Sequence, residues 1–146
     1  MTKKVVALKP NDSLAALFKI FKKHGIVGAP VVNGANKPVG VIAESDLLKH
    51  FTAMPAPRAV NLLGSLVFLE NPAGFNKKLK NKAAETVKGL MSSPAITMNE
   101  NATLAQAISL MEKKRINRLP ITGSAGKLTG LLTRKDVLRQ LSKLLP

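Results

Sequence analysis

Laid over itself at an offset of 90 residues, the chain matches without a gap. Residues 1–51 fall on residues 91–141, with identities at Met1, Asn11, Leu14, Ala15, Lys23, Ile26, Pro30, Ala35, Lys37, Gly40, Asp46 and Leu48. Most of the remaining apolar positions pair with apolar ones: Leu17, Phe18 and Phe21 lie over Ala107, Ile108 and Met111. A self-match at a fixed period means that one supersecondary unit is used twice. A unit of about 50 residues hides too little surface to be comfortable alone. The two copies are therefore expected to bury their apolar sheet faces against each other.

Each copy reads alike. A short β-type run (Val5 to Leu8; Ala95 to Met98) leads to a polar turn, Pro10-Asn11-Asp12 or Asn99-Glu100-Asn101. A helix follows, with Ser13 or Thr103 as N-cap and the i, i+3, i+4, i+7 stripe Leu14, Leu17, Phe18, Phe21 or Leu104, Ala107, Ile108, Met111. Gly25 ends the first of these helices. Two apolar strands come next, Ala29 to Val32 and Val39 to Ala43, joined by Asn33 to Lys37; the second copy has Leu119 to Thr122 and Leu128 to Thr133 around Gly123 to Gly126. Closing helices run from about Ser45 to Phe51 and from about Lys135 to Leu144. The expected fold is α/β in the α+β sense, two β-α-β-β-α repeats packed as a pseudo-two-fold pair, with repeat 1 over residues 1–51 and repeat 2 over 88–146.

Residues 52–87 between the copies are too many for a plain linker. Val60 to Leu69 is an apolar run interrupted by Gly64, ambiguous between a strand and a short helix. Asn71-Pro72 gives an N-cap with proline at the first helical position, and Phe75, Leu79 and Ala83 predict a lysine-rich helix over about 72–84. The segment is read as a helical insert that covers an edge or feeds an oligomer interface. The first copy starts at Met1, opposite Met91, without the lead-in that residues 85–90 give the second. That fits a short protein and a part of a longer chain equally.

Composition narrows the function classes. No apolar stretch approaches the roughly 20 residues of a membrane-spanning helix, and the N-terminus has no short apolar signal core. The absence of cysteine excludes disulfides, thiolate metal sites and cysteine nucleophiles, and a cytoplasmic address fits. His24 and His50 have no carboxylate or second histidine at a ligand spacing, so no metal site is expected. Phosphate-cradling loops, dinucleotide fingerprints, zinc-protease helices and nucleophile elbows are missing from the sequence, and an enzyme is not expected. Lys and Arg number 23 against 8 Asp and Glu, a net charge of +15 that favours anionic partners. Nucleic acid is one such partner, although five Phe with no Tyr or Trp offer little for bases to stack on.

The chemistry concentrates in Gly130-Leu-Leu-Thr-Arg-Lys-Asp136. Glycine lets another backbone or a ligand come close. Thr133 stands where strand becomes helix, and a hydroxyl beside free N–H groups suits phosphate oxygens. Asp136 can accept from both hydroxyls of a ribose. Thr133-x-x-Asp136 is equally a capping box that any helix starting here would use. In the first copy Ala43 replaces the threonine and Glu44 stands where Arg134 does, so phosphate is less welcome beside Asp46. Arg134, Lys135, Arg118 and Lys114 are the cations in or near the second copy's motifs.

These residues resemble the cystathionine-β-synthase (CBS) domain family in its tandem form, the Bateman module. The resemblance rests on Met91-Ser-Ser-Pro-Ala-Ile, Ile116-Asn-Arg-Leu-Pro-Ile and Gly130 to Asp136, and on their counterparts His24-Gly-Ile-Val-Gly-Ala-Pro-Val-Val and Gly40 to Asp46. It implies a regulatory module that takes AMP, ADP, ATP or S-adenosylmethionine as a regulatory ligand in clefts between the copies, requires no cofactor, forms a homodimer and signals to an effector domain or partner. It further implies that Pro94, Ala95, Ile96 and Ile116 border the adenine and that Arg118 serves its phosphates. The expectation is one competent site around Thr133 and Asp136 and a weaker or empty one around Asp46. A nucleic-acid-binding or purely oligomerising adapter is the alternative.

Overall fold

Ser13 begins the first helix: its extended backbone stops the preceding coil, and its hydroxyl accepts the Ala16 amide at 3.1 Å. The computed structural model describes residues 1–52, 59–62, 65–68, 77, 80–82 and 84–146, with 59–62 and 65–68 described by backbone. Helix α1 (Leu14–His24) ends at Gly25, whose left-handed φ of 61° costs glycine nothing. Strands β1 (Gly28–Val32) and β2 (Pro38–Ala43) pair antiparallel with Pro30 opposite Val41, and helix α2 (Glu44–Thr52) closes repeat 1.

Of residues 52–87, expected as a helical insert, the described part holds both strand and helix. The apolar run resolves into strands β3 (Ala59–Leu62) and β4 (Ser65–Phe68), paired antiparallel with Leu62 opposite Ser65. Only residues 63 and 64 separate the arms, and the valines and Phe68 favour extended backbone once two short arms can pair. Lys77 and residues 80–82 are helical, while Asn71-Pro72 and Phe75, Leu79 and Ala83 of the expected helix lie outside the described residues.

Repeat 2 holds β5 (Met98–Asn99), α3 (Leu104–Lys114), β6 (Arg118–Thr122), β7 (Leu128–Thr133) and α4 (Arg134–Leu144). β5 runs parallel to β6, and β6 antiparallel to β7 with Leu119 opposite Leu132. The register breaks between Ile121 and Thr122 as it does between Val31 and Val32, the same step one period on. Each repeat has its own core: Leu8, Leu14, Leu17, Phe21, Val31 and Ile42 in the first, Ala107, Met111, Leu119, Ile121, Leu132 and Val137 in the second. β1 lies against β6, so the repeats meet through their sheets.

The lead-in segments make the pair one structure, and here the expected strand Val5 to Leu8 is corrected. Only Leu8 bridges within repeat 1, beside Val31; Thr2 instead exchanges both backbone hydrogen bonds with Leu131 of repeat 2, each 3.0 Å. Reciprocally, Ser92 exchanges two with Val41, at 2.9 and 3.0 Å, and Val87 is fully buried in the first core. Each lead-in therefore crosses to the other repeat before entering its own. The segment is extended because it must span two bodies, so a local ladder has no room to form.

Candidate functional site

The crossing of the lead-ins builds two clefts. The first, about 190 Å³, has three walls: Val41, Ala43, Ser45 and Asp46 at the β2–α2 junction; Ser92, Pro94, Ala95 and Ile96 on the way into repeat 2; and Arg115, Ile116, Asn117 and Arg118 at the turn into β6. Shifting these numbers by 90 generates the second, about 500 Å³, lined by Leu131, Thr133 and Lys135, by Thr2, Lys4, Val5 and Val6, and by Gly25, Ile26, Val27 and Gly28. Asp46 alone has a counterpart, Asp136, that does not line the second cleft. Glu44, Asn117, Arg118 and Arg134 complete that cleft.

Glycine at the first motif position has a packing cause. A Cβ on Gly40 would meet Met91 Sδ at 2.7 Å and the Ser92 carbonyl at 2.9 Å, so only a bare Cα admits the crossing strand. At Gly130 the nearest atoms are Met1 Sδ at 2.8 Å and, less tightly, the Thr2 carbonyl at 3.4 Å.

The two aspartates differ in availability. Asp136 is buried, with Oδ2 accepting the Thr133 amide at 3.0 Å and its hydroxyl at 2.8 Å and Oδ1 accepting Arg139 at 2.8 Å. Burial disfavours its charge, but the Thr133 hydrogen bonds, aided by the N-terminal ammonium and Arg139, outweigh that and hold its pKa below the usual 3.8. Asp46 is half-buried, accepts the Ala43 amide on Oδ2 at 2.9 Å and has only a long 3.4 Å contact from the Ser92 hydroxyl on Oδ1. Acceptor capacity directed into a cleft thus belongs to Asp46.

The residues expected to form one site are divided. Pro94, Ala95, Ile96, Ile116 and Arg118 join Asp46 in the first cleft; Thr133, Arg134 and Lys135 line the second, and Asp136 is consumed as a helix cap behind it. Glu44, expected to repel phosphate beside Asp46, lines the second cleft instead. Lys114 lines neither.

Sequence reasoning missed Arg115, Ser45, Ser92 and Asn117 in the first cleft and Lys4 in the second. One signal was present: Arg115 occupies the position of Gly25. It too ends its helix in the left-handed region, at φ 53°, where a side chain is strained. Strained backbone of this kind persists where surrounding structure imposes it and gathers at functional sites.

Among the described residues no group of three or more His, Asp or Glu could hold a metal ion, and no helix is long and apolar enough to cross a membrane.

Comparison with known proteins places the geometry in context. The family model of the CBS domain matches residues 1–53 and 87–143. The uncharacterized protein MJ1426 of Methanocaldococcus jannaschii is 33% identical over 148 residues, covering 97% of this chain and 88% of its own length. Inosine-5'-monophosphate dehydrogenase of Korarchaeum cryptofilum is 28% identical over 91% of this chain but only 21% of its own, and the uncharacterized protein MK0525 of Methanopyrus kandleri is matched over 57% of its length. Among solved structures, CBSX2 of Arabidopsis thaliana in complex with AMP superposes with a TM-score of 0.71 at 23% identity, covering 99% of this chain and 93% of that one. The CBS domain pair of protein MJ0100, in complex with 5'-methylthioadenosine and S-adenosyl-L-methionine, gives 0.73 at 21%, covering 99% and 94%.

Proposed function

The chain belongs to the CBS domain family, and on that premise we propose that it is a cytoplasmic regulatory module that binds an adenosine derivative between its repeats and passes the occupancy to a partner. The observation that carries the reading is the first cleft, which Asp46, with one oxygen held only by a long contact from Ser92, an apolar wall, Arg115 and Arg118 line together. Asp46 takes the ribose hydroxyls, Ala95, Ile96 and Ile116 sandwich the base, and Arg115 and Arg118 meet phosphate. The AMP complex of CBSX2 and the 5'-methylthioadenosine and S-adenosyl-L-methionine complex of MJ0100, proteins that share the fold, support this ligand class. In the second cleft Thr133, Arg134 and Lys135 favour an anion, whereas Asp136 is buried against Thr133 and Arg139 and does not line the cleft.

The module acts as a sensor and not as a catalyst. The dehydrogenase it resembles is matched along only a fifth of its length, as expected when a regulatory segment is shared and the catalytic part is not. The assembly is a homodimer, its faces formed by the helices carrying exposed Leu48 and Leu138, with an effector as a further partner.

Calorimetric titration with AMP, ADP, ATP, S-adenosylmethionine and GMP tests the reading. An adenine ligand should bind at raised salt, GMP should not match it, Asp46→Ala should abolish binding and Asp136→Ala should retain it in the fraction that folds. Equal binding of all phosphates, lost with salt and indifferent to Asp46→Ala, would overturn the reading in favour of a non-specific polyanion surface.

A further inference from the structure

Positions 28 and 118 are equivalent in the two repeats, and they meet where β1 lies against β6. One is glycine and the other arginine. The Arg118 side chain fills the space that the missing side chain of Gly28 leaves: a Cβ built on Gly28 would overlap Nε and Cζ of the guanidinium and sit 2.8 Å from Cδ. By its place in the repeat Arg118 belongs to the first cleft, in the group 115–118 that corresponds to 25–28 in the second. Because it lies across Gly28 it lines the second cleft as well.

The charge inventories make this sharing consequential. Besides Arg118, the second cleft has Lys4, Arg134 and Lys135 against Glu44; the first has only Arg115 against Asp46. A phosphate in the first cleft therefore depends on Arg118 far more than an anion in the second does, yet the guanidinium rests on the second side. A cation held by an anion at one cleft is withdrawn from the other, and such a coupling is reciprocal.

We infer that Arg118 is a shared anion ligand through which the two clefts antagonise each other: an anion in the second weakens phosphorylated ligands, and not unphosphorylated ones, in the first. The inference rests on the proposed adenosine site and adds its regulation. Gly28 is part of the device, since it alone gives the guanidinium its resting place.

AMP and adenosine are titrated into the protein with and without inorganic pyrophosphate at constant ionic strength, in the wild type, Gly28→Ala and Lys135→Ala. Pyrophosphate should weaken AMP about 5-fold or more, the lower end of ordinary allosteric coupling, and leave adenosine unchanged. Gly28→Ala expels the guanidinium from the second cleft, and Lys135→Ala weakens the anion there, so at one fixed, sub-saturating pyrophosphate concentration each should cut the antagonism to less than about 2-fold, well below ordinary coupling. Antagonism that persists undiminished in both variants would reflect direct competition within the first cleft and overturn the inference, as would equal weakening of adenosine or none of AMP. If neither AMP nor adenosine binds the wild type, the adenosine reading itself fails and the inference with it.

Discussion

Asp46 and Asp136 occupy the same place in the repeat and perform different work. Asp136 closes a full capping box with Thr133 and is held by Arg139; Asp46 caps α2 with one oxygen and keeps the other toward the cleft. Asp136→Asn should therefore cost stability, about 0.3–1 kcal/mol for the negative charge lost from the first turn of α4, while Asp46→Asn should chiefly cost binding. The pH dependence has a definite sign. The folded-state pKa of Asp136 lies below its unfolded value, so its contribution is complete above about pH 4 and disappears as pH falls through the folded pKa. Chemical denaturation at pH 7 and in strong acid should show the Asp136→Asn penalty at the first and none at the second; a penalty independent of pH would remove the carboxylate as its cause. Arg115 gives the opposite trade. Arg115→Gly relieves a left-handed side chain and should raise stability by about 1 kcal/mol, yet weaken AMP in the first cleft by calorimetry. A variant that is more stable and binds AMP as well as the wild type would show that Arg115 has no part in the site.

The helices and the antiparallel strand pairs of the two repeats were legible because their signals are local. Ser13, Thr103, the four-residue apolar stripes and the two turn segments each act within one or two turns of chain, and the structure starts and stops its elements within a residue or two of them. The crossing of the lead-ins was not legible, since the bonds between Thr2 and Leu131 join residues 129 positions apart and carry no local signature. That crossing decided which residues share a cleft, so most of the residues singled out in the sequence line one cleft or the other while their grouping was not legible. Gly40, identical to Gly130, stands where the crossing backbone passes. Gly40→Ala forces a methyl against the Ser92 carbonyl and should cost about 1–3 kcal/mol, as overpacking does. Gly130→Ala presses chiefly on the flexible end of Met1 and should cost less. Thermal unfolding of the two variants checks the order; equal losses would mean that the approach of Ser92 to β2 is not what the glycine serves.

At the scale of the whole molecule the repeat leaves two apolar faces as well as two clefts. Leu48 on α2 is 63% exposed and its counterpart Leu138 on α4 is 58% exposed. A single exposed leucine needs no explanation, but the same exposure at the same place in both repeats does. Around Leu48, the half-exposed Phe18 packs its ring 6.1 Å from Phe51; around Leu138 lies a groove of about 420 Å³ with Ile108, Met111 and Val137 in its walls. Two like faces related by a pseudo-dyad suit a two-fold assembly, where one protomer's face meets its own copy. Like charge sets the condition for such pairing. At +15 the protomers repel each other at low salt, so the apolar contact must win against a field that salt screens. Sedimentation should accordingly show a dimer that tightens as salt rises, the reverse of what nucleic-acid binding would show. Leu48→Glu with Leu138→Glu should give a monomer at every salt concentration with its secondary structure and its AMP binding intact, because both clefts are built within one chain. A wild type that sediments as a monomer throughout, or a double variant that stays dimeric, would place the interface elsewhere.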